Sequence, residues 1–235
     1  MQEPDPTFFA DRADAGRRLS AKLLVYKDAR PVVLALPRGG LPVGYEVAER
    51  LQAPLDIVLV RKIGAPYQPE LALGAIVEGN PVQRFINRDI VAELGVPQSY
   101  IEEEVVRETR EIQRRRVAYL KGRPPVEVRG NTAIVVDDGI ATGATVRAAL
   151  RAVRQREPAR LVLAVPVAPA STIEQLRGEA DDVVCLYAPS DFGAIGFFYR
   201  DFHQLDDKTV TALLTAAAKR QGGLAAKSNH RSHRG

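Results

Sequence analysis

Residues 133–145 read Ala133-Ile134-Val135-Val136-Asp137-Asp138-Gly139-Ile140-Ala141-Thr142-Gly143-Ala144-Thr145. The run Thr132 to Val136 predicts a strand buried on both faces, because it is apolar without alternation. Asp137 and Asp138 fall just past its C-terminal end, where open α/β sheets bind ligands. Adjacent carboxylates repel each other and need partners: a sugar diol, a cation or a basic side chain. Gly139 to Ala144 lacks bulk, so a ligand can approach the backbone closely, and Thr142 and Thr145 add hydroxyls. The helix expected from about Ala144 to Gln155 presents its unpaired N–H groups and positive dipole end to that loop. A phosphate monoester fits there. A diol held by acids beside a monoester held by amides describes a ribose 5-phosphate. The plainer alternative is a strand–turn–helix whose acids only cap or pair. A Walker A loop is excluded, since no Gly-Lys-Ser/Thr is present.

Working outward, strands and helices alternate. Asp11 to Tyr26 carries an apolar stripe of Leu19, Leu23 and Leu24 among Arg17, Arg18 and Lys22, which predicts an amphipathic helix. Pro31 to Leu36 is a buried strand that ends in Pro37-Arg38-Gly39-Gly40, with a helix from about Pro42 to Leu51 behind it. Leu55 to Val60 is a second strand. Ala72 to Glu78 and Val82 to Ile86 flank a Gly79-Asn80-Pro81 turn and are expected to pair. Asn87 caps a short helix that Gly95 ends.

Ser99 to Leu120 is a long charged helix with Glu103–Arg107 and Glu111–Arg115 at i,i+4. It reads as a solvated face, with a dimer contact as the other reading. Strand Arg160 to Val165, a helix near Ser171 to Arg177, strand Asp182 to Leu186 and a helix Lys208 to Lys219 capped by Asp206 complete the pattern. The alternation predicts an α/β fold with a mostly parallel central sheet flanked by helices. One domain over 1–220 is expected, followed by a basic tail, 221–235.

With 235 residues, 46% of them hydrophobic, the chain can bury a sizeable core without staples. Cys185 is the only cysteine, so no intramolecular disulfide forms, which fits a reducing compartment. No apolar run is long enough for a membrane span. Met1 to Asp14 is acidic and polar, without the order of a secretory signal, so the cytoplasm is the expected location. The net charge of +4 is partly the tail, with Lys219, Arg220, Lys227, Arg231 and Arg234 and no acid. The tail reads as a disordered solubilising end rather than a nucleic-acid contact. His230 and His233 lie in it without a third nearby ligand, which argues against a metal site there.

The strand, Asp-Asp pair and Thr-Gly-Ala-Thr loop resemble the binding motif for 5-phosphoribosyl 1-diphosphate (PRPP) of the type I phosphoribosyltransferases. The resemblance implies that family's fold, with a small C-terminal hood and a mobile hairpin. It places Asp137 and Asp138 on the ribose hydroxyls, one of them also near the base or the metal. Ala141, Thr142, Gly143, Ala144 and Thr145 would take the 5-phosphate. The family's pyrophosphate loop, often with a non-proline cis peptide, is similar to Leu36-Pro37-Arg38-Gly39-Gly40. There the N–H groups of Arg38, Gly39 and Gly40 would line the diphosphate and the Arg38 side chain would add charge. The mobile hairpin corresponds to Arg61 to Asn80, with Arg61 and Lys62 either contacting the phosphates or simply solvated.

Phe198-Tyr199-Arg200-Asp201-Phe202-His203 resembles the Phe-Arg-Asp segment of the hypoxanthine–guanine enzymes, which implies a pyrophosphate contact for Arg200. That family's upstream metal-holding acid has a counterpart only in Asp191, at a different spacing. Phe192, Phe197 and Phe198 either stack an aromatic base or pack the C-terminal helix. His203 reads as a structural hydrogen bonder, with an acid–base role as the alternative.

The resemblance implies transfer of ribose 5-phosphate to a nitrogen nucleophile, purine-type bases favoured, with release of pyrophosphate. Mg²⁺ would be held mainly by PRPP, with Asp137 or Asp138 as further ligands and no dedicated protein cage. A PRPP or nucleotide sensor on the same fold is the alternative. A homodimer is expected; nucleic acid and membrane are not.

Overall fold

The computed structural model of the chain describes residues 8–79 and 81–231, with 70 and 223–231 by backbone alone. The chain opens with α1 (Arg12–Leu23), a 3₁₀ turn over Leu24–Tyr26, β1 (Pro31–Ala35), α2 (Gly40–Leu51) and β2 (Leu55–Ile57). It then forms β3 (Val60–Ala65), β4 (Gln68–Val77) and β5 (Gln83–Ile86), α3 (Arg88–Glu93) and α4 (Gln98–Leu120). The second half runs β6 (Thr132–Val136), α5 (Ala144–Arg154), β7 (Arg160–Val167), α6 (Ala170–Leu176), β8 (Asp182–Tyr187), a 3₁₀ turn over Ile195–Phe198, and α7 (Asp207–Arg231).

Five parallel strands form the central sheet in the order β2-β1-β6-β7-β8. Strand side chains alternate between faces, and here both faces are covered. Val33, Ala35, Ile134, Val136, Val162 and Ala164 share a core with α1, α2, α4 and α7. Val32, Leu34, Ala133, Val135, Leu161 and Leu163 share another with α5 and α6. Burial on both sides is why these strands read as unbroken apolar runs. From β1 the chain moves to β2 on one side; β6 then returns to pair on the other, with Pro31 opposite Thr132 and Ala35 opposite Val136. The order therefore reverses between β1 and β6, and a crevice opens beyond their C-terminal ends.

The strand expected over Leu55–Val60 is shorter and the chain leaves the sheet. Val58 N–H still donates to the Ala35 carbonyl, but Leu59 exchanges bonds with Glu78 at the end of β4. That capture starts a separate antiparallel sheet, β3-β4-β5. The expected pairing across the Gly79 turn is present as β4 with β5; Asn80 lies outside the described residues. Ion pairs tie this sheet to α4: Arg61 with Glu108, Arg84 with Glu102 and Arg116 with Glu78.

The Glu111–Arg115 pair forms at 2.6 Å. The expected Glu103–Arg107 pair does not: Arg107 bonds Glu104 and Glu108, which are buried beside it. Asp206 caps α7 by accepting from Thr209 N–H at 2.8 Å, and the helix continues past Lys219 to Arg231. Residues 1–7, at the start of the N-terminal segment, and the tail residues His233 and Arg234 lie outside the described residues. No helix among the described residues is long and apolar enough to cross a membrane.

Candidate active site

Two loops meet at the β1/β6 crevice. The first follows β1. Leu36 N–H donates to the Val136 carbonyl, so the chain stays beside β6 up to the acids, and Gly40 N–H closes back on the Leu36 carbonyl, both at 2.9 Å. The Pro37–Arg38 peptide is cis. A Cβ on Gly39 would lie 2.2 Å from Asp138 Oδ2, and one on Gly40 2.6 Å from the Val136 carbonyl. Glycine is needed at both places because the loop lies directly against the acid pair.

The second loop carries Asp137 and Asp138. The Asp138 N–H donates to Asp137 Oδ1 at 2.9 Å. Asp138 is buried, and its Oδ2 accepts from Arg12 Nε at 2.7 Å. The Tyr199 hydroxyl donates to the Asp138 backbone carbonyl. Asp137 keeps some contact with solvent. Burial, and then the neighbouring charge of Asp138, raise its carboxyl well above the usual carboxylate range. A cation or a hydroxyl donor placed against it would favour its charged form.

The cradle beyond the acids is open. Ala141, Thr142, Ala144 and Thr145 are exposed, while Gly143 is buried at a φ of 77°, with the Thr172 methyl 3.1 Å from where a Cβ would stand. Thr172 Oγ1 donates to the Ala141 carbonyl, and Ile140 N–H to that of Val167, which fixes the loop. Gly143 is the N-cap of α5 and no side chain caps that helix. Its first amides are thus available to an anion.

The other expected residues divide. Arg38 turns its guanidinium to the start of α7, donating to the Leu205 carbonyl at 2.9 Å and pairing with Asp207 at 3.1 Å. Its side chain is spent there; the backbone that lies against the acids is that of Gly39 and Gly40. Alternation along β3 separates Arg61 from Lys62: Arg61 meets Glu108 on α4. Lys62 lines a groove of about 1450 Å³ together with Thr142, Thr145 and residues of β4, β5, α3 and α5. Arg200 is exposed, its N–H donating to the Phe9 carbonyl, and Asp191 is exposed.

Among the aromatics, Phe198 is buried against Tyr187 and Phe192 in a cluster with Phe9 and Tyr199. It packs there and not on the C-terminal helix. Phe197 is 70% exposed above Gly193 and is the one of the three free to meet a flat ligand. The His203 ring is exposed, with Nδ1 2.7 Å from Asp201 Oδ1. Among the described residues no cluster of three or more metal-binding side chains occurs.

Arg12 and Tyr199 escaped the sequence reading as site residues. Arg12 sits 126 positions from Asp138, and nothing in local spacing connects the two. Tyr199 lay inside a motif that drew notice for its arginine.

Residues 9–202 match the family model described as the phosphoribosyl transferase domain. A relative in two strains of Mycobacterium tuberculosis (CDC 1551 / Oshkosh and H37Rv), provisionally named a phosphoribosyl transferase, is 44% identical over 209 residues. That alignment takes in 89% of this chain and 47% of the relative, so the chain spans about half the relative's length. The crystal structure of TT1426 from Thermus thermophilus is similar at 44% identity and a TM-score of 0.75, covering 88% of this chain and 97% of that one.

Proposed function

Because this chain belongs to the phosphoribosyl transferase domain family, we propose that it transfers ribose 5-phosphate from Mg·PRPP to a nitrogen acceptor and releases pyrophosphate. The observation that carries this reading is the placement of the acid pair beside the uncapped start of α5, at the point where the strand order reverses. The acceptor is a planar nitrogenous base, purine-type favoured, and exposed Phe197 offers it a stacking face.

In this reaction the acceptor nitrogen's lone pair forms the bond to C1. The C1–oxygen bond breaks with its electrons leaving on pyrophosphate, and the acceptor nitrogen gives up its proton. C1 gains positive character as the bond breaks. Catalysis then rests on holding both ends of PRPP still and on neutralising the leaving group. The α5 amides, Thr142 and Thr145 hold the 5-phosphate, and Asp137 and Asp138 take the ribose hydroxyls. The backbone of Arg38, Gly39 and Gly40 lies along the diphosphate, and Lys62 adds positive charge from the hairpin side. Mg²⁺ would be held mainly by PRPP, with Asp137 or Asp138 as further ligands, and would supply charge to offset the leaving diphosphate.

Pyrophosphate release from Mg·PRPP with a panel of purine and pyrimidine bases tests the reading. Release with at least one base is expected. PRPP binding without release for any base is the result expected of a non-catalytic sensor on the same fold.

A further inference from the structure

We infer that Arg12 is a positioning residue that couples occupancy of the sugar acids to the order of the segment 199–203. The inference rests on the phosphoribosyl transfer reading. Arg12 leaves the first turn of α1 with its side chain 10% exposed. Nε donates to Asp138 Oδ2 at 2.7 Å, Nη1 donates to the His203 carbonyl at 2.9 Å, and Cζ lies 3.9 Å from the centre of the Phe202 ring. One flat group thus touches the ribose acid, a backbone carbonyl and an aromatic face at once. Arginine can do this because its donors sit in a fixed plane; the compact lysine ammonium cannot reach all three.

The segment beyond Arg12 has few other anchors. Arg200 and Asp201 N–H groups donate to the carbonyls of Phe9 and Ala10, just ahead of Arg12 in the chain. The Tyr199 hydroxyl reaches the Asp138 backbone, and the side chains of Arg200, Asp201 and His203 stand in solvent. The backbone bonds of residues 200 and 201 lead to the residues beside Arg12 and the Tyr199 hydroxyl to Asp138, while Phe202 also stacks on Tyr199 at 5.0 Å. The His203 carbonyl and one face of the Phe202 ring are therefore tied to the acid pair through one guanidinium.

A carboxylate accepts about four hydrogen bonds, so Asp138 can receive a ribose hydroxyl while Oδ2 stays with Arg12. Sharing is favoured over displacement, because pulling Arg12 away would leave two buried charges without compensation. A hydroxyl bound to the acids then pins Asp138, Asp138 pins Arg12, and Arg12 stiffens the strip of chain from Tyr199 to His203. The segment 199–203 is thus ordered when the sugar is in place.

Hydrogen exchange on the whole chain, with and without Mg·PRPP, reads this out on the bonded amides of Arg200, Asp201 and His203; calorimetry measures binding in parallel. In the wild type, ligand is expected to slow exchange there about tenfold, an ordinary size for coupling between two sites. Arg12→Lys keeps a charge for Asp138 but loses the plane. At saturating Mg·PRPP the segment's exchange is expected to stay at its unliganded rate. Arg12→Gln is expected to lose both the coupling and roughly tenfold in affinity, as for a lost bond to a charged group. A role limited to docking α1 would lower thermal stability without separating binding from protection. Wild-type protein that binds Mg·PRPP with no change at 200–203, or an Arg12→Lys variant protected like wild type, overturns the coupling. If wild type shows no binding heat at all, the transfer reading fails first, and the coupling with it.

Discussion

Gly39→Ala is a sharp test of how the loop after β1 and the acid pair depend on each other. Gly39 has φ −60° and ψ −42°, ordinary helical values, so alanine meets no backbone objection. The only objection is contact: the new Cβ would stand 2.2 Å from Asp138 Oδ2, 2.5 Å from Cγ and 2.8 Å from Oδ1. A free carboxylate would swing aside at little cost. Asp138 is not free, because Oδ2 is held by Arg12 at 2.7 Å in a buried pair. Either the loop shifts, costing about 1–3 kcal/mol as overpacking does, or Asp138 moves and the pair breaks, costing roughly 3–5 kcal/mol.

The cheaper route decides, so a loss of ~2 kcal/mol is expected, which lowers Tm by about 4–8 °C for a chain of this size. Binding should fall with it. A shifted loop would draw the backbone of residues 38–40 away from the proposed diphosphate position, and one lost bond to that charged group costs about 1.5–3 kcal/mol, or roughly 10- to 150-fold in Kd for Mg·PRPP. Thermal denaturation and calorimetry measure the two effects. Gly178→Ala is the control, since nothing lies within 4 Å of a Cβ there. A Gly39→Ala protein with wild-type Tm and wild-type affinity would refute the claim that the loop is packed on the acids.

Other expectations follow from single features. The Asp137 carboxyl is raised in the folded chain, so over the range from about pH 4 up to its folded value the native state holds the extra proton. That contribution to stability is full below the unfolded pKa and declines as pH rises through the window. Urea melts at pH 5 and pH 8 should show a smaller loss for Asp137→Asn than for wild type, and an equal loss would remove Asp137 as the cause. Phe197→Ala should leave Tm and PRPP affinity unchanged, given its exposure, while raising KM for the accepted base; steady-state kinetics at saturating PRPP decide. Arg116→Met strands Glu78, whose carboxyl is already raised by burial. A loss of about 3–5 kcal/mol in chemical denaturation is expected, and a loss under 1 kcal/mol would show that the pair holds little of the hairpin's attachment.

Much of this architecture was legible because local chemistry coincides with global position. Thr132–Val136 has the strand bounds predicted from its apolar run, and the Asp206 and Asn87 caps are where short polar side chains precede helical periodicity. The acid pair and the cradle were readable for the same reason: thirteen consecutive residues carry them. What escaped depends on distance along the chain. No spacing rule joins Arg12 to Asp138. The fate of Arg38, spent on Asp207, is fixed by a helix that begins far downstream. The separation of Arg61 from Lys62 follows from strand alternation, but only once β3 is known to start at Val60 and to leave the main sheet. The aromatic cluster shows the converse: Phe198 was visible as an aromatic beside a motif, yet whether it faced a ligand or Phe9 depended on the N-terminal segment folding back over it.

The most direct measurement is a calorimetric titration with Mg·PRPP of the wild-type chain and of the Asp137→Asn, Asp138→Asn double variant, with near-UV circular dichroism to establish that both are folded. A single saturable site in the wild type that disappears in the folded double variant is the predicted outcome. No binding by the wild type, or equal affinity in the two proteins, would contradict the assignment of the acid pair to the ribose.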